Sequence, residues 1–426
     1  MQHVLDIVLG DRRVGTITNL GSDHNAFVFD PAYVADTGRP VLSLGFFNAK
    51  GELAAPARPP QVRLLPFFAN LLPEGHLRDY LAQRAHVNPV RDFPLLWLLG
   101  EDLPGAVIAR HPGGIETPPH DRDDIVSPEI QEDPTVLKFS LAGVQLKFSA
   151  VREASGGLTI PVHGKNGKWV VKMPSATYAL VPENEYTMLT FARRVGIDVP
   201  EIGLTETADV ANLPPEVRRD LGKAMYIKRF DRDGDERIHI EDFAQIFNQY
   251  PANKYDNVSY ANMLSGIWRT MGEEQAQEFV RRLVFSIGIG NADMHLKNWS
   301  VIYPDDKTPR LAPAYDYVST VVYIPNDKLA LTLARTREWD QVSADLLERF
   351  ARRAGVPRGI VLSAAYDMVE RMQAELPHLN DQGLLPVRYV QTIERHIARI
   401  PLFTRRAAQP HAADAKPDEA VEIEIA

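Results

Sequence analysis

The stretch Gly290-Asn291-Ala292-Asp293-Met294-His295-Leu296-Lys297-Asn298 decides how this chain is interpreted, because it is the densest group of polar side chains in the sequence. It follows an apolar segment that predicts a helix and precedes residues 299–303, which predict a strand. Asp293 and Asn298 lie five residues apart in this loop. A protein kinase catalytic loop has the same spacing, with the aspartate facing the substrate hydroxyl and the asparagine on a magnesium ion. Taken alone, the loop is equally well explained as a polar turn whose side chains bond backbone N–H groups.

Two further side chains of this loop are candidate functional residues. Lys297 is predicted to be catalytic, since a flexible ammonium group is a movable point charge that can approach the transferred phosphoryl group. His295 is predicted to orient the loop and to belong to the nucleotide-binding set. Together with Asp293, the loop would supply both a base and a cation to the reaction.

A second carboxylate follows the loop at the end of the segment Leu311-Ala312-Pro313-Ala314-Tyr315-Asp316. Kinases place an aspartate at this point to hold the magnesium ion that bridges the phosphates. Asp316 and Asn298 are therefore the predicted metal ligands. Tyr317 and Val318 stand where eukaryotic kinases have Phe-Gly, so a surface aspartate is the alternative interpretation of Asp316.

The region upstream contains a candidate ATP-binding lysine and its partner. Lys172 ends an apolar strand predicted at residues 169–172, where its ammonium group can neutralise the α- and β-phosphates of ATP. A lysine in a buried strand is uncommon without a partner. Glu185 lies on the next predicted helix, in the position from which kinases hold this lysine, and Glu183 is the alternative.

Two more segments complete the order of parts found in kinases. Residues 225–232 predict a strand that joins two lobes, where the backbone of Lys228 and Phe230 would face adenine, and Asp231 belongs to the same nucleotide-binding set. A phosphate loop is predicted before Lys172, with four candidate residues: Ser140, Gly143, Val144 and Gln145. This segment has no Gly-x-Gly-x-x-Gly pattern, so its assignment depends on its position alone.

The composition excludes several classes of function. The chain has 426 residues, of which 45% are hydrophobic, enough for more than one core, and it has no cysteine. Disulfides, thiolate nucleophiles and cysteine-ligated metal centres are therefore excluded. A formal net charge of -9 disfavours direct binding of DNA by this chain alone. No apolar stretch approaches the ~20 residues that span a bilayer, and the N-terminus lacks a secretory signal, so a cytoplasmic location without membrane contact is expected.

The pattern of apolar positions divides the chain into four parts, and the predicted fold class is α+β. Residues 1–115 predict an N-terminal α+β unit, and residues 134–230 predict a sheet-rich lobe with the phosphate loop, the ATP lysine and the hinge. Residues 231–405 predict a helical catalytic lobe. Residues 406–426 are too poor in aromatic and aliphatic side chains to fold, and predict a disordered tail.

Periodicity also predicts the individual elements. The N-terminal unit is expected to contain a β-hairpin over residues 4–17 and two further strands at 26–29 and 41–47. Two helices are expected after them, at 71–81 and 93–99. In the sheet-rich lobe, strands are expected at 138–141, 146–151, 169–172 and 224–228 around a helix at 183–195. In the helical lobe, three further helices are expected near 343–354, 360–376 and 385–400.

Beyond this order of parts, the sequence resembles the HipA-type kinases. The resemblance rests on Ser-Leu-Ala-Gly-Val-Gln-Leu-Lys (140–147), Arg-Phe-Asp-Arg (229–232), Asn-Ala-Asp-Met-His-Leu-Lys-Asn (291–298), Glu-Asp-Phe-Ala-Gln (241–245), Lys-Tyr (254–255), Leu-Leu-Pro-Glu-Gly (71–75) and Gly-Ala-Val (105–107). It covers roughly residues 1–400.

The resemblance implies a two-lobed, protein-kinase-like fold with a HipA-type N-terminal subdomain, and ATP and Mg2+ as cofactors. It also implies a serine/threonine kinase that is the toxin of a toxin–antitoxin system. A small helix-turn-helix antitoxin, HipB-like, would restrain it and be its indirect link to DNA. An aminoacyl-tRNA synthetase is one candidate substrate. Ser140 matches the family's site of autophosphorylation, where a dianion would repel the ATP phosphates; an ordinary turn hydroxyl is the alternative.

Two other functions fit parts of this pattern. A catalytically silent nucleotide-binding module would act as a co-regulator through a DNA-binding antitoxin, although the presence of Lys172, Asp293, Asn298 and Asp316 argues against it. A small-molecule kinase would use the same Asp and Asn pair, and the HipA-type segments disfavour it.

Overall fold

The computed structural model describes residues 3–21, 24–48, 50–54, 63–84, 86–113, 147–152, 158–159, 167–213 and 222–404. Within these ranges the chain forms an N-terminal unit and two lobes of mixed α and β structure, as the α+β fold class predicts. The candidates Ser140, Gly143, Val144 and Gln145 lie outside the described residues, as do the strand expected at 138–141 and the tail 406–426.

The N-terminal unit is an antiparallel sheet covered by short helices. Its strands are β1 His3–Leu9, β2 Arg12–Asn19, β3 Asn25–Phe29 and β4 Val107–Arg110, in the order β3-β2-β1-β4. Its helices are α1 Pro31–Ala35, α2 Pro66–Ala69, α3 Gly75–Arg84 and α4 Asp92–Leu99. Gly10 has a φ of +59° in the turn between β1 and β2, a conformation that costs glycine little. The predicted hairpin, the strand at 26–29 and both helices are confirmed.

The strand expected at residues 41–47 is wrong. The chain there forms a short 3-10 turn, Leu44–Phe46. The Ser43 side chain caps this turn by accepting a hydrogen bond of 3.0 Å from the Gly45 backbone N–H. A serine that bonds its own backbone in this way competes with strand pairing.

The first lobe is a mixed sheet with one helix against it. The strands are β5 Lys147–Arg152, β6 Leu158–Thr159, β7 Trp169–Lys172, β8 Ile202–Glu206, β9 Val210–Ala211 and β10 Lys223–Lys228, in the order β8-β10-β7-β5-β6-β9. The helix is α5 Val181–Arg194, which has an acidic residue in its first turn and two arginines in its last. Both ends therefore suit the helix dipole. The strands predicted near β5, β7 and β10 are confirmed, whereas β8 was not predicted.

The second lobe is mainly helical. Its helices are α6 Phe243–Ile246, α7 Tyr260–Gly288, α8 Ala344–Ala354, α9 Arg358–Glu375, α10 Val387–Arg399 and α11 Pro401–Thr404. Two small sheets accompany them, formed by β11 Arg232–Asp233 with β12 Glu236–Arg237, and by β13 His239–Asp242, β14 Ser300–Tyr303 and β15 Arg310–Leu311. The three C-terminal helices predicted from periodicity are confirmed. One hydrophobic core runs from α5 into this lobe, so the two lobes pack together directly.

The N-terminal unit packs against the helical lobe through polar contacts. The Gln245 side chain donates a hydrogen bond of 3.0 Å to the Phe67 carbonyl, and the Asn70 side chain donates one of 2.7 Å to the Gln249 carbonyl. These contacts place the loop that precedes α3 beside the helical lobe. Among the helices of the described ranges, none has both the length and the apolar character needed to cross a membrane.

Candidate active site

The catalytic-loop candidate follows the long helix α7 without a gap. Gly290 has a φ of +66°, and a Cβ atom there would lie 2.5 Å from Val321, so glycine suits this position both in conformation and in space. The loop then closes on itself, since the backbone N–H of His295 and the side chain of Asn298 each donate a hydrogen bond of 2.8 Å to the Asp293 carbonyl. The strand β14 follows and fixes the loop's other end.

Asp293 is the accessible carboxylate of this loop, with 53% of its side chain exposed. Its Oδ1 atom accepts a hydrogen bond from the Tyr255 hydroxyl. The ring of His295 packs edge-on against the Tyr255 ring, at a centroid separation of 4.9 Å. Burial, together with the positive charge of Lys254, lowers the pKa of His295 to about 3, so this imidazole is neutral at physiological pH. His295 is therefore a neutral group that packs beside the Tyr255 ring, next to Asp293.

The two predicted metal ligands lie on either side of this loop. Asn298 uses its Nδ2 group to bond the Asp293 carbonyl, and among the described residues its Oδ1 atom accepts no hydrogen bond. Asp316 has a φ of +56°, which is uncommon for a residue with a Cβ atom. The Asn291 side chain donates a hydrogen bond of 3.3 Å to the Asp316 carbonyl. That bond ties the segment of Asp316 to the catalytic loop.

The candidate ATP lysine is shared between two acids. Lys172, at the end of β7, forms ion pairs with both Glu185 on α5 and Asp316. The structure therefore places Glu185 on this lysine, while the Glu183 carboxyl group lies within electrostatic reach of Lys223. Burial alone would lower the pKa of Lys172, but the charges of Asp316 and Glu185 outweigh it and raise the pKa. Burial would likewise raise the pKa of Asp316, but the charge of Lys172 holds it at about 2.

This arrangement fits a magnesium ion bound together with nucleotide phosphates. Two carboxylates, Glu185 and Asp316, share one buried ammonium group, and the charge of Lys147 also acts on both of them. A divalent cation at Asp316 would offset the negative charge that nucleotide phosphates bring into the cleft. Within the described ranges, no group of three or more His, Asp or Glu side chains could hold a metal unaided. Magnesium characteristically takes one or two protein oxygens and completes its shell with phosphates and water. Asp316 and the Oδ1 atom of Asn298 are oxygens of the required kind.

The hinge leaves fewer backbone groups available for adenine than the sequence predicts. The Lys228 N–H donates a hydrogen bond of 2.8 Å to the Glu201 carbonyl, so this predicted adenine donor is already used. The backbone groups of Phe230 form no hydrogen bond to other described residues, and its ring packs against Tyr315 at a centroid separation of 5.7 Å. Phe230 is therefore the better placed of the two adenine candidates.

The placement of Asp231 does not favour its predicted role in nucleotide binding. Its buried carboxylate forms ion pairs with Arg229 at 2.7 Å and Arg232 at 2.8 Å. It also accepts a hydrogen bond of 2.8 Å from the Gly105 N–H of the N-terminal unit. Burial would raise the pKa of Asp231, but the hydrogen bond and the charge of Arg229 outweigh it and lower the pKa. Asp231 therefore joins the hinge to the N-terminal unit.

Lys297 does not have the placement expected of a group that contacts the transferred phosphoryl. Its ammonium group lies 2.7 Å from the Glu74 carboxylate and donates a hydrogen bond of 3.2 Å to the Asn70 carbonyl. Both partners belong to the N-terminal unit. These contacts hold the ammonium group on the side of the N-terminal unit, and the catalytic role of Lys297 stays a prediction.

Three residues of the site were not assigned a role from the sequence. Tyr255, Lys254 and Glu74 all fall in the HipA-like segments, but their functions depend on contacts between distant parts of the chain. A lysine next to a tyrosine carries no chemical signature of its own. The only available signal was their membership of segments that resemble the family.

Comparison with known proteins assigns the N-terminal unit and the two lobes to the same family. Residues 139–376 match the family described as the HipA-like C-terminal domain, and residues 5–110 match the HipA N-terminal domain. The protein named "Putative kinase Y4dM" from Sinorhizobium fredii is 46% identical to the chain, across 94% of the chain and 98% of its own length. The protein named "Serine/threonine-protein kinase toxin HipA" from Shewanella oneidensis is 26% identical, across 84% of the chain and 85% of its own length.

A solved structure extends the likeness to the fold. It is the complex of the Shewanella oneidensis MR-1 toxin–antitoxin system, HipA, HipB and its operator DNA. One of its chains superimposes with a TM-score of 0.71 and 21% identity, covering 93% of the present chain and 97% of that chain. At this identity the likeness shows that the two chains share their fold.

Proposed function

Because the chain belongs to the HipA family, we propose that it is an ATP- and magnesium-dependent serine/threonine protein kinase. The observation that carries the proposal is the sharing of Lys172 between Glu185 and Asp316, in a cleft whose other wall is the loop of Asp293 and Asn298. These are the parts that phosphoryl transfer requires, in the same order along the chain.

Each side chain has a defined task in this reaction. Asp293 orients the substrate hydroxyl and accepts its proton as the oxygen attacks the γ-phosphorus. A new oxygen–phosphorus bond forms while the bond from the γ-phosphorus to the bridging β-phosphate oxygen breaks, and ADP leaves. Asn298 and Asp316 would hold magnesium, which would neutralise phosphate charge when bound, and Lys172 would steady the α- and β-phosphates.

We also propose that the chain acts as the toxin of a HipA/HipB-type system. Its relative in Shewanella oneidensis is named a kinase toxin, and the solved complex contains HipB and operator DNA. A small DNA-binding antitoxin would then restrain this chain and be its link to DNA, which suits the net charge of -9. The substrate would be a cytoplasmic protein whose phosphorylation arrests growth, with an aminoacyl-tRNA synthetase as one candidate.

The alternative function is that of a silent nucleotide-binding co-regulator, which holds a DNA-binding antitoxin without phosphorylating anything. The complete set of Lys172, Glu185, Asp293, Asn298 and Asp316 favours the kinase, because a silent module needs no catalytic base. Both functions predict nucleotide binding, so only phosphoryl transfer separates them.

The deciding experiment follows phosphate from γ-labelled ATP into the purified chain and into a cytoplasmic lysate, with magnesium present. The Asp293→Asn variant is the matched control, because it keeps the shape of the loop and removes the base. We expect label with the wild-type chain, and a rate lower by at least about 10²-fold with the variant. Nucleotide binding without label in either protein would instead favour the silent co-regulator.

Autophosphorylation is proposed at Ser140, and it has a separate test. The Ser140→Ala protein should still phosphorylate lysate proteins but should carry no phosphate itself, as measured by intact mass. Ser149, on β5, is the neighbouring serine to compare. Phosphate that persists on the Ser140→Ala chain would show that another residue is modified.

A further inference from the structure

One carboxylate of the N-terminal unit reaches the catalytic loop. Glu74 lies immediately before helix α3, in the segment Leu-Leu-Pro-Glu-Gly (71–75) whose role the kinase proposal leaves open. Its Oε1 atom lies 2.7 Å from the Lys297 ammonium group, and its Oε2 atom lies 3.1 Å from that of Lys254. Each carboxylate oxygen therefore binds a different lysine.

The three side chains are substantially buried. Glu74 is 29% exposed, Lys254 22% and Lys297 14%, so water screens their charges less than it would on an open surface. Burial alone would raise the pKa of Glu74, but the charges of Lys297 and Lys254 lower it to about 2. The carboxylate is therefore ionised across the physiological range, and both ion pairs are retained there.

The two lysines lead directly to the residues that carry the chemistry. Lys297 precedes Asn298, the predicted magnesium ligand. Lys254 precedes Tyr255, whose hydroxyl group donates a hydrogen bond to the Asp293 carboxylate. The two segments are also joined to each other, because the Leu296 N–H donates a hydrogen bond of 3.2 Å to the Lys254 carbonyl.

We propose that Glu74 is a positioning residue for phosphoryl transfer, through which the N-terminal unit holds the catalytic loop and the Tyr255 segment in register. Glu74 would act through its ion pairs with Lys254 and Lys297 and not through a contact of its own with nucleotide or substrate. The inference rests on the proposed kinase function for its consequence in catalysis. It does not rest on that function for the anchoring itself, which is a property of the folded chain.

The kinetic test uses Glu74→Gln, which keeps the size of the side chain and removes its charge. We expect kcat for label transfer to fall roughly tenfold or more, because the hydrogen-bonded ion pairs with Lys297 and with Lys254 are both lost. The KM for ATP should stay within about twofold, since Lys172 and Glu185 are not touched. Glu52→Gln is the matched control, because Glu52 lies in the same unit and its side chain bonds Asn48. Glu74→Asp, which keeps the charge, should recover part of the rate.

A double-mutant cycle with Lys297→Gln separates positioning from a general loss of structure. If Glu74 acts through Lys297, the double variant should lose less activity than the two single losses multiplied together. Losses that multiply fully, or a Glu74→Gln enzyme with the wild-type kcat, would overturn the proposal.

Hydrogen exchange provides a readout that needs no catalysis. In the Glu74→Gln protein, amides of residues 291–298 and 254–255 should exchange faster than in the wild type, while those of α9 should not change. Unchanged exchange in the loop would overturn the anchoring whatever the activity. Faster exchange in a chain whose wild type transfers no phosphate would support the anchoring and refute the kinase function.

Discussion

The carboxylate of Asp293 already accepts a hydrogen bond from a hydroxyl group in this structure. The Tyr255 hydroxyl donates to its Oδ1 atom, which fixes the carboxylate, and Oδ2 is the atom that would face the substrate hydroxyl in the proposed reaction. A base held in this way loses little freedom when the substrate arrives, which is an advantage because orientation supplies much of the rate of an enzymatic reaction. The neutral His295 ring packs against the Tyr255 ring and limits its movement.

Replacing Tyr255 with Phe tests this arrangement. The ring and its packing against His295 remain, and only the hydrogen bond to Asp293 is lost. A hydrogen bond to a charged group contributes about 1.5–3 kcal/mol, so we expect kcat to fall at least about tenfold while the KM for ATP is retained. Initial rates of label transfer, measured beside a melting curve, check the expectation.

Tyr366→Phe is the control, since the Tyr366 hydroxyl forms no hydrogen bond to other described residues and its loss should leave the rate unchanged. A Tyr255→Phe enzyme as fast as the wild type would mean that Asp293 needs no partner to be placed correctly.

At the scale of elements, helix α5 is held to the segment that follows Asp316. Asn184 is fully buried on this helix, next to Glu185. Its side chain donates a hydrogen bond of 3.0 Å to the Ser319 carbonyl and accepts one of 3.0 Å from the Ser319 N–H. It also donates a hydrogen bond of 3.1 Å to the Tyr323 hydroxyl. The two segments that Lys172 joins through Glu185 and Asp316 are thus also joined by a second link.

Removing this link should loosen both segments. In an Asn184→Ala variant the backbone groups of Ser319 lose their partner while buried, which costs roughly 1–3 kcal/mol of folding free energy. We expect a lower urea midpoint, faster hydrogen exchange in residues 181–194 and 316–323, and a higher KM for ATP. Tyr186→Phe, on the same helix, removes a hydroxyl group that forms no hydrogen bond to other described residues, and should change none of the three. A variant with wild-type exchange in both segments would contradict the link.

The elements themselves could be predicted from the sequence wherever local chemistry determines them. The periodicity of α8, α9 and α10 and the Gly-Asp turn between β1 and β2 are local signals, and the structure agrees with them. The error at residues 41–47 has a non-local cause. Ser43 bonds Glu241, far along the chain, and caps its own turn, so apolar alternation there does not produce a strand. The short strand β13 was missed because its partner β14 lies beyond the whole of α7.

At the scale of the whole molecule, some features of the candidate site could be predicted from the sequence and others could not. The spacing of Asp293 and Asn298, and the order of Lys172 and Glu185, are readable from the sequence because the kinase arrangement keeps these parts in order. The partners of Lys297 and Asp231 were not readable, because each of them lies in the N-terminal unit, far away along the chain. A charged residue in a sequence shows its charge but not the group that will neutralise it.

A buried carboxyl group also has its partners in both the N-terminal unit and the helical lobe. Glu241, on β13, is fully buried. It accepts hydrogen bonds from Ser43 and from the Leu44 N–H of the N-terminal unit, and from the Tyr303 hydroxyl on β14. Burial raises the pKa of Glu241 from its ordinary 4.5 to about 7, although these three hydrogen bonds partly oppose the rise. The cohesion of the N-terminal unit with the rest of the chain therefore depends on the protonation of this group.

The sign of the effect follows from linkage. Between pH 4.5 and about 7 the unfolded chain loses the proton of Glu241 while the folded chain keeps it, so the folded state loses stability as the pH rises through this window. The loss is on the order of 3 kcal/mol, at about 1.4 kcal/mol for each pKa unit.

In a Glu241→Gln variant this contribution is absent, so the stability of the variant, relative to the wild type, should rise between pH 4.5 and 7 and then level off. Urea unfolding at several pH values measures the difference. His239 also titrates near this interface and is present in both proteins. Asp242, whose charge adds to the rise in the pKa of Glu241, is replaced by Asn in both proteins, so that its titration does not enter the comparison. A constant difference across the window would mean that Glu241 keeps an ordinary pKa, and that the N-terminal unit is held independently of its protonation.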